Sequence, residues 1–285
     1  MLFRSNMTFP SVVEYYDKTR FDYRYVWNSR NTHAIHFGYY DEGVRQHVAA
    51  VANMNRKMAE LAGIKLEDLV LDAGCGVGGS SFWLAENIGC HVTGITLAAS
   101  QVADAQKTAA QRNLYDKTHF QQADYCATDF KSNSYDIVWA LESQCHAADK
   151  AAFYREAFRL LKPNGRLVIA EYFLNVHDEA TNGDVDIKAW YDNIAIPNLL
   201  TWEEHEAFAK TAGFKSATLQ NINPNVRRSL LNAYEHCEKW LPAAKWLNRL
   251  GIVNKVQVGN VLGTAAQYRA WAKDLWFYGL AVFEK

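Results

Sequence analysis

The chain has 285 residues, 49% of them hydrophobic, enough to close the core of one large α/β domain. Thirty lysines and arginines nearly balance 31 aspartates and glutamates; net charge therefore offers no broad attraction to nucleic acid or an anionic membrane, and a small-molecule partner is expected. The five cysteines (Cys75, Cys90, Cys126, Cys145, Cys237) are scattered and lack CxxC spacing, which argues against a disulfide framework or a zinc site.

In chain order, the opening stretch up to residue 43 mixes aromatics with charges and shows no strand alternation, so it reads as a helical cap. It has no apolar run of secretory length, and no later run reaches the length of a membrane span, so a cytoplasmic protein without stable membrane insertion is expected. Helical spacing over 44–62 ends at Gly63. Then an alternating series follows: strand 68–72, helix 78–87, strand 91–96, helix 99–113, strands 119–123 and 135–141, helix 150–161, turn 162–165 and strand 166–173. Such alternation specifies a doubly wound sheet, because each parallel connection needs a crossover that covers one face.

Beyond 173 the rhythm breaks. A polar, partly helical stretch to residue 200 precedes helix 201–212, where Thr201 and Glu204 have capping-box spacing. Strand 216–221, a long helical stretch 225–250, helix 263–273 and strand 276–283 complete the chain. The expected fold is α/β: one domain over 1–285 with a Rossmann-like, doubly wound, mostly parallel seven-stranded sheet. Its parts are an N-terminal cap (1–43), a cofactor-binding core (44–173), lid insertions (174–200 and 224–262), and a terminal helix and strand (263–285).

The sharpest motif is VLDAGCGVGG at 70–79, in which Gly74, Gly76 and Gly79 fit G-x-G-x-x-G between a strand and a helix. The glycines alone suit NAD as well as S-adenosylmethionine. Asp72, two residues before the loop, would repel a pyrophosphate but attract an ammonium. At the next strand end, where a dinucleotide site expects an acidic residue for the ribose, the chain reads GITLAASQ; polar contacts must come from Thr96 and Gln101. After the third strand, Asp124 and Tyr125 are candidates for the adenine. Glu142 and His146 follow the fourth strand, at the sheet edge where ligands of doubly wound folds bind, and both can take a proton.

These segments resemble the class I methyltransferases. VLDAGCGVGGSS resembles the first motif of that group, and GITLAASQ resembles the GITLSPxQ segment of tocopherol, sterol side-chain and cyclopropane-lipid methyltransferases. The block ALESQCHAADKAAFYREAFRLLKPNGRLVIAEYF is similar to their stretch from fourth to fifth strand, and the ending AAQYRAWAKDLWFYGLAVFEK is most like the tocopherol type. The resemblance implies S-adenosyl-L-methionine as cofactor, with S-adenosyl-L-homocysteine as product. Asp72, Gly74, Cys75, Gly76 and Gly78 would hold the methionine portion, Thr96, Leu97 and Gln101 the ribose, Asp124 and Tyr125 the adenine, and Leu141 the sulfonium side. In the cap, EYYDKT and IHFGYYD resemble segments that close over the cofactor, which singles out Tyr16 and His36, with Tyr39 toward the acceptor. Glu142 falls where cyclopropane-lipid synthases and the methyltransferase of geranyl diphosphate carry a pocket glutamate.

Two departures narrow the acceptor. Gly38 stands where the cyclopropane-lipid synthases have a cysteine, which tells against cyclopropanation, and LESQ after the fourth strand is unlike the Asn-Pro-Pro-aromatic sequence of enzymes that methylate nucleic-acid bases. Tyr172, Trp190, Tyr191, Ile194, Pro197 and Trp202 would form an aromatic and aliphatic wall suited to a terpenoid, prenylated phenol or alkaloid. Methyl transfer is then expected to a small lipophilic metabolite, on carbon somewhat more than on oxygen or nitrogen. The alternatives are an NAD-dependent oxidoreductase and a non-catalytic S-adenosylmethionine-binding protein. Glu203, Glu204, His205 and Glu206 read as a solvated helix face. The histidines show no metal-ligand spacing beyond the i, i+3 pair His33 and His36, so no metal is expected.

Overall fold

The computed structural model describes residues 9–21 and 32–285. Helix α1 (Phe9–Phe21) is followed, after residue 32, by an extended cap segment and α2 (His47–Ala62). Val44 is held outside α2 by a turn in which its N–H donates to the Asp41 carbonyl. At the other end Gly63 adopts a left-handed φ of 59° and closes the helix through the carbonyls of Ala59 and Glu60.

Strands β1 (Leu69–Ala73), β2 (His91–Thr96), β3 (Thr118–Gln122), β4 (Tyr135–Leu141) and β5 (Leu161–Leu174) run parallel. Helices α3 (Gly79–Asn87), α4 (Ala99–Gln111) and α5 (Lys150–Leu160) lie between them in sequence. Past the small helices α6 (Glu179–Gly183) and α7 (Val185–Asn193) come α8 (Trp202–Ala212), β6 (Ser216–Asn221), α9 (Asn223–Arg249), α10 (Lys255–Ala272) and β7 (Trp276–Glu284). The sheet order is β3-β2-β1-β4-β5-β7-β6, with β7 antiparallel between β5 and β6. The order reverses between β1 and β4, and ligands of such sheets bind outside the carboxyl ends at that point.

Both faces of the sheet are buried, as the apolar strands require. One face packs Met54 and Met58 of α2, Trp190 of α7, Leu230 of α9 and Ala266 of α10 against Val70, Ile137, Val168 and Leu280. The other packs Phe153 and Tyr154 of α5 and Ala209 of α8 against Leu71, Val138, Ile169 and Phe283.

Three expectations are corrected. Residues 162–165 form a bulge inside β5, not a turn before it: Tyr135 pairs with Leu161 and Ile137 already with Arg166, and Asn164 takes a left-handed φ of 64°. The last helix begins at Lys255, not near Gly263, so one helix joins the expected lid insertion to the terminal element. Its glycines serve close packing on α7: a Cβ on Gly259 would lie 2.7 Å from Asn193 Oδ1, and one on Gly263 2.7 Å from Ile194 Cγ1. Finally, His205 is buried, not solvated, with its Nδ1 2.6 Å from the Tyr154 hydroxyl.

Candidate active site

A cavity of about 750 Å³ opens at the carboxyl edge of the sheet. Its floor is the β1–α3 loop, where Gly74 and Gly76 take left-handed φ values of 94° and 54°. A Cβ on Gly74 would strike Ser143 at 2.4 Å, so this glycine lets the β1 and β4 loops touch; one on Gly76 would meet nothing within 4 Å, leaving bare backbone toward the open space. Asp72 lines the cavity while buried, with Oδ2 accepting from the Ser81 hydroxyl at 2.6 Å. Burial pushes its carboxyl up to about 7. At the end of β2, Thr96 Oγ1 donates to Gln101 Oε1 at 2.6 Å.

These features fit S-adenosylmethionine. A buried carboxyl beside an exposed glycine backbone suits an ammonium group, and would be costly next to a pyrophosphate. Tyr16, His36, Asp72, Gly74, Cys75, Gly76, Thr96, Leu97, Gln101, Tyr125 and Leu141 all line this one cavity. Two expected cofactor residues stand elsewhere. Gly78 is turned against the rings of Phe82 and Phe120, and Asp124 spends Oδ1 on the N–H of Cys126 at 2.8 Å, closing its own turn.

Glu142 and His146 both reach the cavity. Glu142 has a left-handed φ of 48°, a conformation costly for a side chain with a Cβ, and three hydrogen bonds hold it there. Its Oε1 accepts from the Phe37 N–H and the Tyr278 hydroxyl, each at 2.7 Å, and Oε2 accepts from the Tyr172 hydroxyl at 2.5 Å. Burial raises its carboxyl, while these donors oppose the rise. The His146 ring lies 2.9 Å from the Ala195 carbonyl through Nδ1. A carbonyl can only accept, so Nδ1 carries the proton and Nε2 keeps a lone pair, 2.9 Å from the Tyr16 hydroxyl. Burial pushes this imidazole down to about 4, so it is neutral.

The acceptor end is lined by Tyr172, Trp190, Ile194 and Ile196. Tyr39 and three expected wall residues, Tyr191, Pro197 and Trp202, do not line it. Tyr39 packs on the α2 side of the core with Lys57 over its ring, Tyr191 is half-buried with its hydroxyl oxygen accepting from the Leu199 N–H, and Trp202 lies on the opposite face of the sheet against Phe173 and Phe283. The α8 amphipathic face points to the other core, so Trp202 cannot follow Trp190 into the cavity.

Residues that sequence reasoning passed over complete the site. Asn260, Thr264 and Gln267 of α10, on one helical face, also line the cavity. Lys150 and Glu171, both buried, brace the turn Gln144–His146 from two sides. Lys150 Nζ donates to the carbonyls of Gln144, Cys145 and Ala147 at 3.0, 2.6 and 2.9 Å, while Glu171 Oε2 accepts from the Cys145 N–H at 2.8 Å. A glutamate amid the apolar run VIAEYF was the available signal. Among the described residues no group of His, Cys, Asp or Glu is arranged to hold a metal ion.

Residues 71–169 match the family described as Methyltransferase domain. Sterol 24-C-methyltransferase of Saccharomyces cerevisiae is 30% identical over 213 residues, covering 74% of this chain and 54% of that protein. O-methyltransferase cnsE of Penicillium expansum is 32% identical over 199 residues, covering 68% of this chain and 70% of that one. This chain thus spans about half the length of the first curated relatives it matches. In three dimensions, the [4+2]-cyclase SpnF superposes with a TM-score of 0.80 at 22% identity, over 98% of this chain and 96% of that one, a likeness of fold. The dinucleotide reading gives way, since the glycine loop, its acidic neighbour and the relatives agree on one cofactor, and the chain belongs to the class I S-adenosylmethionine-dependent methyltransferases.

Proposed function

We propose that this chain methylates a small lipophilic acceptor, with carbon of a prenylated phenol or terpenoid as the preferred receiving atom. The observation that carries the reading is the continuity of one cavity from Asp72 and Thr96 to Trp190, Ile194 and Ile196. A polar cofactor groove that runs without interruption into an aromatic and aliphatic chamber suits an apolar molecule brought to the cofactor. Sterol and tocopherol methyltransferases are named among the relatives.

When bound, S-adenosylmethionine supplies a methyl group on a sulfonium. On this reading Asp72 holds its ammonium, and Thr96 and Gln101 its ribose. Trp190, Ile194 and Tyr172 exclude water and press the acceptor into line. The new carbon–carbon bond uses the acceptor's π pair, the carbon–sulfur pair stays on sulfur, and the acceptor is left cationic. Glu142, oriented by Tyr172 and Tyr278, stabilises that positive charge. The neutral Nε2 of His146, directly or through Tyr16, receives the proton that restores the π system.

The acceptor also carries an oxygen function. Gln267 is only 4% exposed, faces the cavity, and its amide has no hydrogen-bond partner among the described residues. Its amide opens on the cavity, where an acceptor hydroxyl or carbonyl would pair with it. Incubation with methyl-labelled cofactor and a panel of prenylated phenols, prenyl diphosphates and amines tests the reading. Label on a ring or alkene carbon is expected. Label confined to oxygen or nitrogen overturns the choice of carbon, and label in no product favours a cofactor-binding protein that transfers nothing.

A further inference from the structure

The net charge of −1 conceals a local contrast. Residues 239–255 contain Lys239, Lys245, Arg249 and Lys255 and no aspartate or glutamate. All four cations are exposed, and none forms an ion pair with a carboxylate among the described residues. The same segment, the end of α9 and its turn into α10, holds large apolar side chains in solvent: Trp240 is 49% exposed, Trp246 59%, Leu250 54% and Ile252 66%.

Spacing orders these groups. Trp246 and Leu250 are four residues apart and share one helical stripe, while Lys245 and Arg249 form a parallel stripe beside it. Gly251, with a left-handed φ of 71°, then turns the chain and places Ile252 past the helix end. Tryptophan and long aliphatic side chains rimmed by lysine and arginine match the layered chemistry of a bilayer interface, where indole rings sit at headgroup level and cations meet anionic lipid. None of the helices among the described residues is long and apolar enough to cross a membrane, so the contact would be one of surface.

We infer that the tip of the α9–α10 hairpin is a docking surface for an anionic lipid bilayer, with Trp246, Leu250 and Ile252 entering the interface and Lys245, Arg249 and Lys255 contacting headgroups. Ala233 of α9 lines the cavity, and Trp246 lies thirteen residues further along the same helix, about 20 Å away. On the other arm of the hairpin the cavity-lining Asn260 follows Lys255 by five residues, about 8 Å along α10, so the cavity stands close to the membrane-facing tip.

The test is flotation of the full chain with vesicles of phosphatidylcholine alone or mixed with phosphatidylglycerol, at low and high salt. Binding to the mixed vesicles, weakened by salt and accompanied by a blue shift of tryptophan emission, is expected. Lys245→Glu with Arg249→Glu should weaken it by at least about fivefold per cation removed, and Trp246→Ser with Leu250→Ser should abolish the blue shift. Circular dichroism checks that each variant is folded, and the two pairs of substitutions are independent, so loss of one pair to misfolding leaves the other decisive. Absence of binding to either vesicle, or binding unchanged in the variants, overturns the inference. So does sedimentation showing a dimer of this chain that Trp246→Ser splits, because the patch would then be a protein interface.

Discussion

The backbone N–H of Phe37 donates to Glu142 Oε1 at 2.7 Å across 105 residues of chain. This single contact ties the cap segment to the tip of β4, and Phe37 completes the tie by packing on Tyr172 and Tyr278, whose hydroxyls bind the same carboxyl. Glu142 thus joins three elements while sitting in a strained backbone conformation.

Replacing Glu142 with Gln keeps the shape but turns one oxygen into a donor, which then faces a donor. Turnover should fall by about a hundredfold, with cofactor affinity nearly unchanged, because the carboxyl is engaged by Phe37, Tyr172 and Tyr278 and by neither Asp72 nor Thr96. The lost hydrogen bond should cost about 1–3 kcal/mol of stability. Kinetics and calorimetric titration on the same preparation check both; equal losses in turnover and cofactor affinity would place Glu142 in the cofactor site.

Asp72 supplies a pH dependence of definite sign. Burial holds its carboxyl at about 7, so below that pH the group is neutral and offers an ammonium little. Binding of S-adenosylhomocysteine should tighten by about tenfold for each pH unit up to 7 and level off above. Asp72→Asn should bind weakly with no such slope. A native protein whose affinity is flat from pH 5 to about 8 contradicts the assignment of Asp72 to the ammonium.

Which parts of this were legible in the sequence follows from the range of the forces involved. Strand β2 and strand β4 were readable to the residue because local apolar patterning decides them, and the Thr201–Glu204 box announced α8. Gly259 and Gly263 concealed the start of α10, since their reason is contact with α7, more than 60 residues away in sequence. The separation of Trp190 from Trp202 was invisible for a similar cause: an aromatic residue does not declare which face of a sheet it will join. Net charge likewise averaged away the basic, tryptophan-bearing tip of α9.

Lys150 and Glu171 act through Cys145, one taking its carbonyl and the other its N–H. They are positioning residues for His146, the next in the chain. Lys150→Met should lower turnover more than it raises KM and should destabilise the fold by about 3–5 kcal/mol, as removal of one member of a buried charge set does. Adding Glu171→Gln removes the charge left behind and should recover part of the stability without recovering turnover. Thermal unfolding and steady-state kinetics of the single and double variants separate the two effects, and strictly additive losses in stability would show that the two side chains do not work together.

Gln267 gives the sharpest statement about the acceptor. The residue is 4% exposed and its amide opens on the cavity with no hydrogen-bond partner among the described residues, whereas on the same stripe Asn260 Oδ1 accepts from the Tyr15 hydroxyl at 2.7 Å, and Thr264 Oγ1 donates to the Asn260 carbonyl. An amide that opens on the cavity discriminates when the wrong molecule displaces water from it and leaves it unpaired. The native protein, with S-adenosylhomocysteine bound, should therefore hold a prenylated phenol about tenfold more tightly than the prenylated benzene without the hydroxyl. Gln267→Met, close in shape and at home in a helix, should bind the two alike, chiefly by gaining affinity for the hydrocarbon. Quenching of tryptophan emission, with Trp190 in the cavity wall, reads both affinities. Retention of the native preference in the variant would assign the oxygen's recognition to another residue, while failure of both molecules to bind a protein that still takes the cofactor would reject the lipophilic acceptor itself.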